Sequence, residues 1–221
     1  SPSRFDDADL SRSHGVAVES TRRLFVGIRG DEGSPLADAR VRQALNYAVD
    51  VAGIVQATQM GYGERYASYV SSPNVNPSLT PWSHDPDRAR ELLAEAGYPD
   101  GFSTAMDVPV DRYTGGDAIA QAIADDLAQV NVEVELHSWE WTEFVQRLLG
   151  QESSPLFLLA MQSRGNDLED AQNLAFLFPF NPTGWYRSDF EALLTEARAT
   201  YNREKRQALL WQAQAIAYDE A

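Results

Sequence analysis

The side chains that could carry out chemistry are few and scattered. Three histidines are present, His14, His84 and His137, and none has a second ligand at metal-binding spacing. His84 precedes Asp85 and Pro86, which suits a surface or capping residue at a helix start. There is no cysteine, so disulfides, zinc–thiolate sites and thiol nucleophiles are excluded within these residues. The patterns of a serine-hydrolase elbow, a phosphate-binding loop and a zinc-protease helix are missing. Gly61-Tyr62-Gly63 and Gly115-Gly116 are too short a signal for phosphate binding. Adjacent acids occur at Asp6-Asp7 and Asp125-Asp126. Neighbouring helical residues point in different directions, so Asp125 and Asp126 do not share a site, and a solvated face accounts for them. The acids from Asp167 to Asp170 differ, because they follow an apolar strand-like stretch, Leu156 to Met161. Ligands of open parallel sheets sit beyond the carboxyl ends of the strands. The same acids also suit a helix amino terminus and its dipole; the residues leave both readings open.

The elements that must position such residues follow from periodicity and punctuation. Leu24 to Ile28 reads as a short strand and Asp31 to Pro35 as a turn. Val41, Ala44, Leu45 and Ala48 fall at helical spacing, and Ile54 to Met60 reads as a second helix ending at Gly61. Residues 61–84 hold glycine, proline, asparagine and aromatics without a period, the pattern of a long structured loop. Asp85-Pro86 opens a helix that closes at Gly97. Then come a strand over Ser103 to Pro109, a helix after Gly115-Gly116, an alternating strand at Val132, Val134 and Leu136, a helix over Trp141 to Leu149, and the strand Leu156 to Met161. This β-α-β-α-β order predicts a parallel sheet with right-handed crossovers. Ser188 and Glu191 form a capping-box pattern, and Arg203 to Glu220 is a final helix that the chain leaves at Ala221.

With 221 residues the chain can build one sizeable core or two small ones. No apolar run approaches the roughly 20 residues that cross a bilayer, and Ser1 to Leu10 is polar and acidic, unlike a signal peptide. The formal net charge of -15 repels phosphate backbones and argues against nucleic acid as a partner. Lys205 is the only lysine among 18 basic residues. Acid excess with so little lysine fits a surface adapted to high salt, as in haloarchaeal proteins; the codon bias of a GC-rich genome gives the same pattern.

Several segments carry a resemblance in a fixed order. Residues 38–50, DARVRQALNYAVD, residues 84–102, HDPDRARELLAEAGYPDGF, residues 120–134, AQAIADDLAQVNVEV, and residues 140–144, EWTEF, are each similar to a segment of the family 5 extracellular solute-binding proteins, the dipeptide, oligopeptide and nickel binders. Residues 190–198, FEALLTEAR, and 206–216, RQALLWQAQAI, resemble the helices that follow. The resemblance implies an α/β, two-lobed type II periplasmic-binding-protein-like fold, with a mostly parallel sheet flanked by helices. This chain would be its carboxyl-terminal lobe. The expected division is an opening segment, 1–35, that brings one strand from the preceding lobe or hinge, and a ligand-binding lobe over 36–221. The amino-terminal lobe and the final return segment would lie outside the chain. The implied activity is that of the substrate-binding component of an ABC importer, which captures a peptide or similar small solute by closing two lobes. It would need no cofactor, make or break no bond, act as a monomer beyond the cytoplasm under a lipid anchor, and deliver cargo to permease subunits in the membrane. A sensory or regulatory solute-binding domain is the alternative; a hydrolase using Asp167 or Asp170 is a third reading.

Site residues carry over in part. Peptide-binding members have a W-x-A-D-Y-x-x-P segment whose aspartate pairs with the ligand's amino group, and counting back from Asn173 sets Asp167 on it, beside Asn166. Arg164 stands where the family has tryptophan, and Leu168 and Ala171 replace the tyrosine and proline. The resemblance thus offers a carboxylate for an ammonium group and a cation for an anionic one. Trp139 and Trp141 are candidates for the cleft wall or for core packing. Tyr69, in the loop from Tyr62 to Trp82, is a further ligand-facing candidate. No metal ligands are expected.

Overall fold

The computed structural model describes residues 22–68, 70, 74–162 and 181–221. From its amino end the chain runs β1 (Arg22–Ile28), a 3-10 turn (Pro35–Ala37), α1 (Ala39–Ala48), α2 (Val51–Gln59), α3 (Pro86–Glu95), β2 (Phe102–Pro109), α4 (Gly116–Ala128), β3 (Val132–Trp139), α5 (Trp141–Leu149), β4 (Leu156–Gln162), α6 (Ser188–Ala199) and α7 (Arg203–Glu220). Side-chain caps set most helix starts. Asp38 accepts from the Arg40 amide, Asp50 from Gly53, Asp85 from Arg88 and Asn202 from Lys205, each satisfying an amide the helix leaves free. Two local readings shift. α2 ends on Met60, in the left-handed region at φ 52°, before Gly61 is reached. The expected capping box at Ser188 does not form, because Arg187 is the flanking residue and Ser188 already lies in the first turn of α6.

The sheet order is β1-β4-β2-β3. β2 and β3 are parallel from Phe102 opposite Val132 to Pro109 opposite Trp139, and β4 is parallel to β2 through Met106–Leu156 and Asp107–Phe157. The sheet is therefore mostly parallel, as its order of elements requires. β1, expected as a strand brought from elsewhere, lies antiparallel along the whole of β4, from Arg22 opposite Gln162 to Ile28 opposite Leu156. The carboxyl ends of β2, β3 and β4 and the amino end of β1 thus share one edge.

One face of the sheet holds the main core. Met106, Val108, Val132, Leu156 and Leu158 meet Val41, Leu45, Leu93, Ile123 and Leu127 from α1, α3 and α4. On the other face Phe157 and Leu159 meet Phe144 and Leu148 of α5. Gly27 of β1 makes room there, since a Cβ would overlap the Phe157 ring. α6 and α7 form a third cluster around Phe190, Leu194, Leu210 and Ala213.

Two polar ties join these parts. Asp126 of α4 accepts from the Asp50 amide at 2.8 Å and so fixes the α1–α2 junction, which explains one of the adjacent acids. Arg42 of α1 is buried and spends its guanidinium on the carbonyls of Leu36, Ala37 and Glu220 and on the Glu220 carboxylate at 2.9 Å. Desolvation lowers the Arg42 pKa from its ordinary value. The other Glu220 oxygen takes Arg187 at 2.7 Å.

Candidate functional site

The shared edge is where a ligand of such a sheet belongs, and the side chains there are held by bonds from distant segments. Asp107, two residues before the end of β2, is fully buried. Its Oδ1 accepts from Trp139 Nε1 at 2.9 Å and from Ser154 Oγ at 2.6 Å, and its Oδ2 accepts from the Ser154 amide at 2.9 Å. Arg147 Nε of α5 lies 3.7 Å from Oδ2, and the Arg147 guanidinium sits 4.1 Å above the Trp139 ring. Beyond β2 the chain continues at Val110, whose amide donates to the Trp139 carbonyl at the end of β3 at 2.9 Å. The next residues form an arm. Arg112 stacks 4.3 Å above the Trp141 ring, a cation–π geometry, and among the described residues no carboxylate is within ion-pair distance of it. Tyr113 receives the Ala160 amide of β4 at its hydroxyl, 2.9 Å away, which pins the arm to the central sheet. Burial raises the Tyr113 pKa, so the phenol stays a neutral partner for that bond. The arm ends at Gly115, whose φ of 70° turns the chain into α4.

Serine, histidine and aspartate do meet here. His137 Nδ1 is 3.1 Å from Ser154 Oγ, and its Nε2 is 3.3 Å from Glu135. The arrangement is not that of a nucleophile. In a catalytic triad the serine proton faces the imidazole, whereas here the hydroxyl gives it to Asp107 and Ser154 is buried. Among the described residues no group of three histidine or carboxylate side chains is placed to hold a metal ion.

Of the residues singled out in the sequence, Trp139 and Trp141 are described. Both are half-buried, pack on the α5 cluster, and each carries an arginine on its ring. Arg164, Asn166, Asp167 and Tyr69 lie outside the described residues, as do Asp170 and His14. The described part of the Tyr62–Trp82 loop contains no strand and is bound to its neighbours. Asn76 donates its amide to the Gln214 side-chain oxygen and its Nδ2 to the Trp211 carbonyl, and Trp82 stacks on Tyr218 at 4.8 Å. A cavity of about 360 Å³ lies beside α2, lined by Asp50, Val55, Gln56, Arg65 and Trp82 among others, none from the strand ends. Its arginine is committed: Arg65 donates to the Asn46 and Val49 carbonyls, and desolvation lowers its pKa. Sequence reasoning passed over Asp107 and Arg112. Asp107 was visible as an acid between the apolar Met106 and Val108, and Arg112 as a lone cation in a strand-to-helix turn.

The fold is that of a lobe of a solute-binding protein. Residues 4–187 match the bacterial extracellular solute-binding proteins, family 5 Middle, and the chain belongs to this family. It is similar to heme-binding protein A of Haemophilus influenzae, 34% identical over 86% of this chain and 36% of that protein. It is also similar to the dipeptide-binding protein of Escherichia coli, 33% identical over 85% of this chain and 37% of that one. Among solved structures, HbpA2 from Haemophilus parasuis superposes with a TM-score of 0.82 at 28% identity, covering 92% of this chain and 41% of that one. The chain thus spans well under half the length of these relatives.

Proposed function

We propose that the chain provides one lobe, over residues 36–221, of the substrate-binding component of an ABC importer, and that it captures a small solute bearing a carboxylate, a short peptide in the first instance. The carrying observation is the Arg112 guanidinium. It stands at the ligand edge of the sheet, oriented by Trp141 and without an acidic partner among the described residues. A pre-oriented, uncompensated cation suits a planar carboxylate. Asp167 complements it as the group for the solute's ammonium end, and Arg164, Asn166 and Tyr69 add further contacts in this reading. Capture is closure of a second lobe over this edge, with tighter binding to the closed state. The kinship of the relatives favours transport without catalysis, at an extracytoplasmic location, by a lipid-anchored monomer that meets permease subunits.

The test is a thermal-shift series on the intact protein with the dipeptide Ala-Leu, hemin, a nickel–histidine chelate and maltose. A solute at a hundred times its Kd adds about 2.7 kcal/mol to the folded state. Ala-Leu is expected to raise Tm, and Arg112→Ala to abolish that rise. No rise with any of the four, or a rise that Arg112→Ala keeps in full, rejects the reading.

A further inference from the structure

Among the described residues Asp107 is the only buried carboxylate. Taking a carboxylate out of water is costly, and replacing it together with its polar partners by apolar groups is often neutral or stabilising, so stability alone is a weak account of it. What an apolar residue cannot do is receive the Trp139 indole N–H and both donors of Ser154. Those bonds act on two segments at once. Trp139 has its ring fixed by Asp107 and covered by Arg147, while its carbonyl holds Val110, where the Arg112 arm departs. Two residues on from Trp139, Trp141 supplies the ring on which Arg112 lies. Ser154, on the other side, sets the approach to β4, whose Ala160 amide anchors Tyr113 of the same arm. Both supports of the cation thus lead back to one carboxylate.

We infer that Asp107 is a positioning residue for solute capture: by fixing the Trp139 indole and the Ser154 turn, it holds the Arg112–Trp141 pair in place at the sheet edge. This rests on the solute-site reading above, and touches the ligand nowhere itself. Pre-organisation of this kind cuts the ordering cost of binding and so appears in affinity more than in stability.

The experiment is isothermal titration of the intact protein with Ala-Leu, comparing wild type, Asp107→Asn, Asp107→Leu, Trp139→Phe and the Asp107→Asn/Trp139→Phe double variant. Asparagine puts an NH2 in place of one carboxylate oxygen, so at least one of the three donors loses its acceptor, and phenylalanine keeps a ring without the N–H. Asp107→Asn and Trp139→Phe should each weaken binding about tenfold, the scale of one lost hydrogen bond. The double variant should bind more tightly than the product of the two single effects predicts, because the two changes share the Trp139 tie while only Asp107→Asn also loosens Ser154. Asp107→Asn should also shift tryptophan emission, and that shift should vanish in the Trp139→Phe background. Asp107→Leu leaves the Trp139 indole and both Ser154 donors unpaired, so it should lower Tm as well as weaken binding; if it does not fold, the other three variants still decide. Wild-type affinity in the Asp107 variants, or independent multiplication of the two effects, overturns the inference. If Arg112→Ala abolishes binding while the Asp107 variants bind normally, the solute site stands and only the role of Asp107 falls. If wild type itself binds no Ala-Leu, the peptide reading and this inference fall together.

Discussion

The two faces of the sheet are made by alternate residues of the same strands and are closed in different ways. One face is roofed by α1, α3 and α4 over Met106, Val108, Val132, Leu156 and Leu158, all apolar. Among the described residues the other is roofed by α5, and there Phe157 and Leu159 share the space with Asp107, His137, Trp139 and the Arg147 guanidinium. The first arrangement buries oil and is indifferent to which ligand the protein serves. The second spends burial on directional bonds, each of which fixes a segment at the strand ends. The difference separates what makes the fold from what aims the edge.

Truncation on the apolar face should have the largest effect. Leu127→Ala opens a cavity beneath α4 and is expected to cost about 3 kcal/mol, read as a lower denaturant midpoint at unchanged slope. On the polar face Ser154→Ala removes one donor from a buried carboxylate, for about 1.5 kcal/mol; a loss as large as that of Leu127→Ala would erase the contrast drawn here. A smaller effect is expected at the start of α1, where Asp38→Ala loses the cap and about 1 kcal/mol. That loss has a defined pH dependence. The Arg40 hydrogen bond holds the Asp38 carboxyl below its ordinary value of 3.8, so its stabilisation is present above that value and disappears as pH falls through the lower folded one. The gap in Tm between wild type and Asp38→Ala should therefore close in acid. Smallest of all, Arg112→Ala should change stability by no more than about 0.5 kcal/mol, although the same substitution is expected to abolish the ligand response.

How much of this was legible in the sequence divides along the same line. α5 and α7 match the expected Trp141 to Leu149 and Arg203 to Glu220 to the residue, because a helix announces itself by local spacing. The parallel strands followed from their alternation with helices. The antiparallel seat of β1 beside β4 did not, since nothing within Arg22 to Ile28 names a partner so far along the chain. Asp107 escaped for the same reason. A single acid in a strand looks like a solvated position until Trp139 and Ser154 are brought to it by the fold. Arg112 carries no spacing at all, and only the third dimension sets it on Trp141. Ser188 misled because the capping pattern was correct in kind and one residue out of place.

Glu220 ties α7 to α1 and to Arg187. An exposed turn of a helix ordinarily opens and trades its amide protons with water within moments. Here the Glu220 carboxylate is gripped by Arg42 and Arg187 together, and its carbonyl takes a further bond from Arg42. Unwinding that turn would strand the buried Arg42 guanidinium. The amides of the turn that carries Glu220 should consequently be among the slow-exchanging protons of α7, a stitched seam between that helix and α1.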